Sequence, residues 1–168
     1  MKDITEYLEK QLNNTNYWLS FAEAKNAALV ALNITLIVMI ATMEVMSITA
    51  KIVFAIIFIA SSVICLASFL PNMTNKPKKV GKYKDDMNLL FYGDIAKIDD
   101  ANAFIEAIRC KYFSGVSVEE AKSKINIDYA KEILINSEIT VRKYNLFKVS
   151  LGIDVLTFIG AIIFLIIA

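Results

Sequence analysis

Histidine is absent from this chain of 168 residues, and cysteine occurs twice, proline twice, glycine five times and tryptophan once. Lack of histidine removes the commonest general base and metal ligand together. The two cysteines, Cys65 and Cys110, make no disulfide framework. Cys65 falls inside an apolar run, where a small packing residue is expected. No C-x-x-C pair, G-x-S-x-G elbow or P-loop occurs. The carboxylate pairs Asp85–Asp86, Asp99–Asp100 and Glu119–Glu120 are sequence neighbours, which do not converge on one helix face. Helix caps and first-turn charges account for them. No catalytic constellation remains, so the expectation is a protein that is not an enzyme and holds neither a metal nor a resident cofactor. Long β-patterned segments, internal repeats and low-complexity tracts are missing too.

What is present is apolar: 57% of the residues are hydrophobic, which reads as a small membrane protein. Residues 52–70, IVFAIIFIASSVICLASFL, run for nineteen positions without a charge. As a helix they extend roughly 28 Å, close to the ~30 Å hydrocarbon core of a bilayer. A strand of that length would be exceptional, and a soluble helix would show a polar face. Pro71 and Asn72 end the run. Residues 26–43 are charge-free, and residues 149–168 carry a single charge, Asp154. The expectation is therefore three transmembrane helices.

Lys and Arg number three in residues 1–25, one (Lys51) between the first two spans, and fourteen in residues 71–148. The positive-inside rule then puts the N-terminus and residues 71–148 in the cytoplasm, and the C-terminus outside. Twenty-five largely polar residues precede the first full-length span, so a cleaved signal peptide is not expected. The fold class is an all-α membrane protein with three transmembrane helices, N-in and C-out. Residues 1–25 form an amphipathic cytoplasmic helix, and 71–148 a cytoplasmic helical insertion.

No proline or glycine occurs in the first seventy residues, so the N-terminal helix is expected to run straight into the first span for about forty residues. Asp3 with Glu6 has capping-box spacing, as does Ser117 with Glu120, and Asp99 or Asp100 suits the start of a helix over AFIEAIRCKYF. Asn126 or Asp128 restarts a helix. Ile127, Ala130, Leu134, Ser137, Val141, Tyr144 and Lys148 then make a heptad-like seam into the third span. That seam suits the extension of the first helix or a second copy of the chain. Residues 72–86, with five lysines, are the clear linker: a loop drawn to anionic headgroups, or a loop that binds a ligand phosphate.

Asp154 lies about one and a half turns, roughly 8 Å, into the third span. An intramembrane carboxylate costs about 2.5–3.5 kcal/mol at mid-span and needs a partner or water. Asn33 stands at similar depth, with Lys25 one or two turns nearer the cytoplasm. Either these three residues line a polar gate between helices, or Asp154 snorkels to the interface or hydrogen-bonds as a packing residue. Small residues on the spans, among them Ser61, Cys65, Gly152 and Gly160, permit close approach within one subunit or between several.

Three runs carry a resemblance. WLSFAEAKNA at 18–27 is similar to the "ADxKA" start of a membrane hairpin, with Glu23 where Asp is usual. NLLFYGDIA at 88–96 resembles an "NLLFFGxIA" motif, with Tyr92 in place of a second Phe. Asp128 through Lys143-Tyr144, leading into a last span, completes the order. Together they resemble the Pycsar effector transmembrane family. The resemblance implies a multi-pass effector of the bacterial inner membrane that responds to a cyclic nucleotide made by a partner cyclase during phage infection. Its implied partners are the lipid bilayer, that nucleotide and further copies of itself, a homo-oligomer, with no nucleic acid polymer. The ligand could be a cyclic mononucleotide or an oligonucleotide. Candidate phosphate ligands are Lys78, Lys79, Lys82, Lys84, Arg109, Lys111, Arg142 and Lys143, and Phe91, Tyr92, Tyr112 and Tyr144 offer rings for the base. Gly93 either lets backbone approach closely or ends a helix. The alternative is a non-lytic membrane adaptor or a small constitutive channel subunit that docks a cytoplasmic partner.

Overall fold

The computed structural model describes residues 3–70, 87–98 and 100–167. Among the described residues every regular element is helical and no strand occurs. Helix α1 spans Ile4–Thr42, α2 Ile48–Leu66 followed by a 3-10 turn Ala67–Phe69, α3 Tyr92–Ile95, α4 Ala101–Tyr112, α5 Val118–Ala121 and α6 Lys124–Ile167. Three helical stretches, Ile4–Thr42, Ile48–Phe69 and Lys124–Ile167, are long and apolar enough to cross a membrane. The 39 residues of α1 match the helix expected from a stretch free of proline and glycine.

Several local expectations need correction. Asp3 accepts a bond from Thr5 N, but Glu6 pairs with Lys10 instead of reaching back, so the first capping box is half formed. Asp100 caps α4 by accepting from Ala103 N, and Ser117 caps α5 by accepting from Glu120 N. Helix α6 starts at Lys124, ahead of both expected restart residues. Asn126 is buried, and its amide donates to the carbonyls of Glu120 and Ala121, closing the end of α5. Helix α2 begins at Ile48, four residues ahead of the run 52–70, with Ser47 as its N-cap.

The chain divides into two compact units, residues 1–20 with 72–141 and residues 21–71 with 142–168, so α1 and α6 each contribute to both. The first unit has a conventional core. Ile4, Leu8, Leu89, Ile95, Phe104, Ile105, Ile108 and Ile133 are fully or almost fully buried there. Each such side chain contributes about 1.5–3 kcal/mol by leaving water. Tyr7 packs on Tyr112 and Phe113 at ring separations of 5.6 and 5.7 Å, and this burial pushes its hydroxyl above the usual range.

The second unit is a bundle of the three span-length segments. Its buried positions step by threes and fours: Ala22, Asn26, Leu29 and Asn33 on α1; Phe58, Ser61, Cys65 and Ser68 on α2 and its 3-10 turn; Ser150, Asp154, Thr157 and Ala161 on α6. Lys148, expected on the α6 seam, is exposed, while Ser150 is buried. The outward faces are apolar, with Ile34, Val38, Ile56, Ile59, Val63, Leu156 and Ile163 all about half exposed or more. In water such a surface would associate; in lipid it is the ordinary face of a span.

Candidate functional sites

In the first unit, residues 88–96 form a closed turn rather than an open loop. Asn88 Oδ1 accepts from Leu90 N at 3.0 Å, and Asn88 N donates to Asp94 Oδ2 at 3.1 Å. Lys97 pairs with the other Asp94 oxygen at 2.6 Å. These contacts hold the Asp94 carboxyl below its ordinary range, the Lys97 bond first and the Asn88 amide second. Leu89 and Ile95 drop into the core, which fixes which way the intervening residues face. Phe91 stays at the surface and Tyr92 is half-buried, and a run of rings extends from them: Phe91–Tyr92 at 4.7 Å, Tyr92–Trp18 at 5.8 Å, Trp18–Tyr17 at 5.6 Å. Phe91 is 47% and Tyr17 63% exposed, so the ladder presents ring surface to solvent.

Gly93 sits inside α3 with no positive φ, and so does not end a helix. A Cβ there would come within 2.5 Å of the Phe91 ring. What comes close to this backbone is therefore the ring of Phe91.

Arg109 is engaged by Glu106 at 2.6 Å and donates to the Val116 carbonyl at 3.3 Å, so it ties α4 to the turn before α5. The same guanidinium pulls the Glu106 carboxyl down to about 2. Lys111 donates to the Met87 carbonyl at 3.0 Å. Lys78, Lys79, Lys82 and Lys84 lie outside the described residues.

In the second unit Arg142 and Lys143 serve the end of α2. Arg142 donates to the Ala67 carbonyl at 3.3 Å, and Lys143 to the Ser68 carbonyl at 2.9 Å. Carbonyls at a helix C-terminus lack intrahelical partners and carry partial negative charge, so two cations suit them. Lys143 also pairs with Glu23 at 2.9 Å, and its own carbonyl accepts from Asn26 Nδ2 at 3.2 Å. Lys25 lies over three rings, Phe21 at 4.7 Å, Tyr144 at 5.3 Å and Phe147 at 5.6 Å.

Further along the bundle, Ser61 and Ser150 exchange bonds, each hydroxyl donating to the other's carbonyl at 3.2 and 3.0 Å. Asn33 is fully buried with neither amide atom hydrogen-bonded, and Asp154 is 5% exposed with both carboxylate oxygens unpartnered. The twelve candidate ligand residues are thus distributed: four outside the described residues, five in the first unit and three in the second.

A family described as the Pycsar effector protein domain matches residues 7–168. The chain belongs to that family. Curated proteins and solved structures gave no match. Together with the three span-length helices, membership makes this Pycsar effector domain a multi-pass membrane protein of anti-phage cyclic-nucleotide signalling. The structure gives physical roles to the family-like runs. Trp18 stacks on Tyr92, and Glu23, Lys25 and Asn26 each contact Lys143 or Tyr144, so runs distant in sequence meet within each unit. Sequence reasoning missed Glu23 and Asn26 as interior partners of Lys143. Their signal was the three-and-four spacing of α1, which marks a face without naming what it meets.

Proposed function

We propose that this Pycsar effector resides in the bacterial inner membrane with residues 1–25 and 71–148 in the cytoplasm. There it detects a cyclic nucleotide from a partner cyclase and responds by dissipating the membrane potential. It acts without catalysis, through movement and assembly of helices. The observation that carries this reading is the sharing of α1 and α6 between a soluble-type core and a bundle with apolar outer faces. A helix of 39 or 44 residues transmits a displacement along its own backbone, because its hydrogen bonds are internal. The base of the nucleotide stacks on the exposed Phe91 ring, since any base presents a π-face to aromatic rings. Lysines of residues 72–86 take its phosphate. Several copies act together, with the half-exposed apolar faces of the spans as contact surfaces.

The deciding experiment measures membrane potential in bacteria that express the chain with and without its cognate cyclase. Depolarisation that needs both is expected. An unchanged potential in both cultures, with the protein verified in the inner membrane, would replace this reading with a non-lytic adaptor. Depolarisation without cyclase would make the chain a constitutive channel.

A further inference from the structure

The second unit changes character along its length. At one end stand Glu23, Lys25, Arg142 and Lys143, each engaged by a partner. The register of the helices sets the level of every other polar group in the bundle. Lys143 meets Ser68 and Ser150 meets Ser61, so seven residues forward on α6 correspond to seven back on α2, and the two helices run antiparallel. Asn26 meets Lys143, while Leu36 and Ile40 share a cavity lining with Phe158 and Ala161, so α1 and α6 run parallel. Asn33, seven residues beyond Asn26, therefore falls at the level of the Ser61–Ser150 pair. Asp154 is one further turn along, about 16 Å from Lys143 at ~1.5 Å per residue. Beyond it Thr157 is buried with its hydroxyl donating to the Ile153 carbonyl of its own helix, and the interior around it is apolar. Ile40, Met46 and Phe58 are buried against one another with Leu36, Phe54 and Phe164 around them. A cavity of about 40 Å³ there has a wholly apolar lining, and such a space stays dry. Lys51, at that far end, is held by the Ala41 carbonyl.

An unpartnered buried carboxylate is among the most costly groups a bundle can hold, and an unpartnered buried amide adds several kcal/mol at the upper end of its range. A hydrated cation serves both, since it takes carboxylate and amide oxygens while its water accepts from Asn33 Nδ2. Neither residue is open to lipid, so the group that satisfies them enters the bundle. We propose that Asp154 and Asn33 line a site for a hydrated alkali-metal cation inside the bundle, and that Ile40, Met46 and Phe58 form the apolar plug beyond it. Oxygen-lined sites and dewetted constrictions are the two elements of a gated cation path. The inference deepens the reading above by naming what crosses the membrane. Its test uses no nucleotide, so either can fail without the other.

The full chain in detergent is melted in NaCl, in KCl and in N-methyl-D-glucamine chloride at equal ionic strength. Alkali salts raise the midpoint of the native chain by roughly 3 °C or more and leave Asp154→Asn unaffected. Equal midpoints for the native chain, or an alkali effect that persists in Asp154→Asn, would overturn the site. For the plug, liposomes carrying Phe58→Ser or Ile40→Ser, on different helices, are followed with dyes for potassium, sodium, protons and chloride. The expected leak favours alkali cations over chloride and falls about tenfold or more when Asp154→Asn is added, the effect of losing a charged ligand. A leak of protons alone, a leak that passes chloride equally, or one indifferent to Asp154 would overturn the proposal.

Discussion

The ammonium of Lys143 stands 2.9 Å from Glu23 Oε1 with 8% of its side chain exposed, while Glu23 retains 45%. The pair is asymmetric in what its loss leaves behind. Without Glu23, a nearly buried cation keeps, among the described residues, the Ser68 carbonyl and the face of Phe69 at 5.2 Å. Without Lys143, Glu23 can turn to water, but the end of α2 loses a cap.

Glu23→Gln is therefore expected to destabilise the chain by roughly 1–3 kcal/mol, the range for a lost bond to a charged group. Lys143→Glu costs more, because a carboxylate then faces the carbonyl end of α2. The swapped pair, Glu23→Lys with Lys143→Glu, does not recover the loss, since the new lysine leaves Ser68 uncapped. Thermal unfolding in detergent, followed by circular dichroism, reads all three. Recovery in the swap would show that the ion pair alone matters and the cap does not.

Gly93 and Phe91 should be coupled with a change of sign. Gly93→Ala places a Cβ 2.5 Å from the Phe91 ring, which must swing away from Tyr92. The tip of a half-exposed side chain yields readily, so the cost is chiefly the lost Phe91–Tyr92 ring contact, about 0.5–1.5 kcal/mol. In a Phe91→Ala background the clash is gone, and alanine in a helix should instead stabilise by about 0.5–1 kcal/mol over glycine. A double-mutant cycle of unfolding free energies measures the coupling. Equal effects in both backgrounds would mean that Phe91 does not rest on Gly93.

The elements legible in the sequence were those governed by local rules. Absence of proline and glycine gave α1 its length, charge-free runs gave the spans, and Ser117 and Asp100 announced their helices by acceptor spacing. What stayed hidden depended on which end of one helix meets another. Arg142 and Lys143 were named for phosphate on charge alone, and no spacing announced the carbonyls at the end of α2 that they meet. Asn126 reads as a helix start, yet its side chain closes the helix before it. The closure of Asn88 onto Asp94 across six residues follows no helical or strand period, so only the resemblance marked that stretch.

Acid should act on the first unit through Glu106 and Asp94. Arg109 lowers the Glu106 carboxyl from the ordinary 4.5 to about 2, and Lys97 with the Asn88 amide lowers Asp94. A depressed folded-state value stabilises above the unfolded value and loses that contribution as pH falls through the folded one. Stability is therefore expected to decline from about pH 4.5 toward pH 2 as Glu106 takes up its proton, with Asp94 adding a loss of the same sign. Both carboxylates are partly exposed, so salt weakens the effect. Melting curves across that range for the native chain and Glu106→Gln test it: the variant should show the shallower acid limb. An unaltered acid limb in the variant would remove Glu106 from the account.

Phe91 and Arg109 were both candidates for holding a nucleotide, and the geometry now separates them. Arg109 spends its guanidinium on Glu106 and Val116, whereas Phe91 presents a ring that is 47% exposed. Arg109→Gln should lower the melting midpoint and leave the activator concentration needed for depolarisation unchanged in cells that still fold the protein. Phe91→Ala should do the reverse. Its midpoint stays close to the native one, while loss of a stacking ring worth about 1–3 kcal/mol raises the required cyclase expression roughly tenfold or more. Titrated induction of the cyclase, read with a potential-sensitive dye beside melting of the purified chains, resolves the two behaviours. A Phe91→Ala chain that responds at native cyclase levels would move recognition off the ring ladder and onto the lysines of residues 72–86.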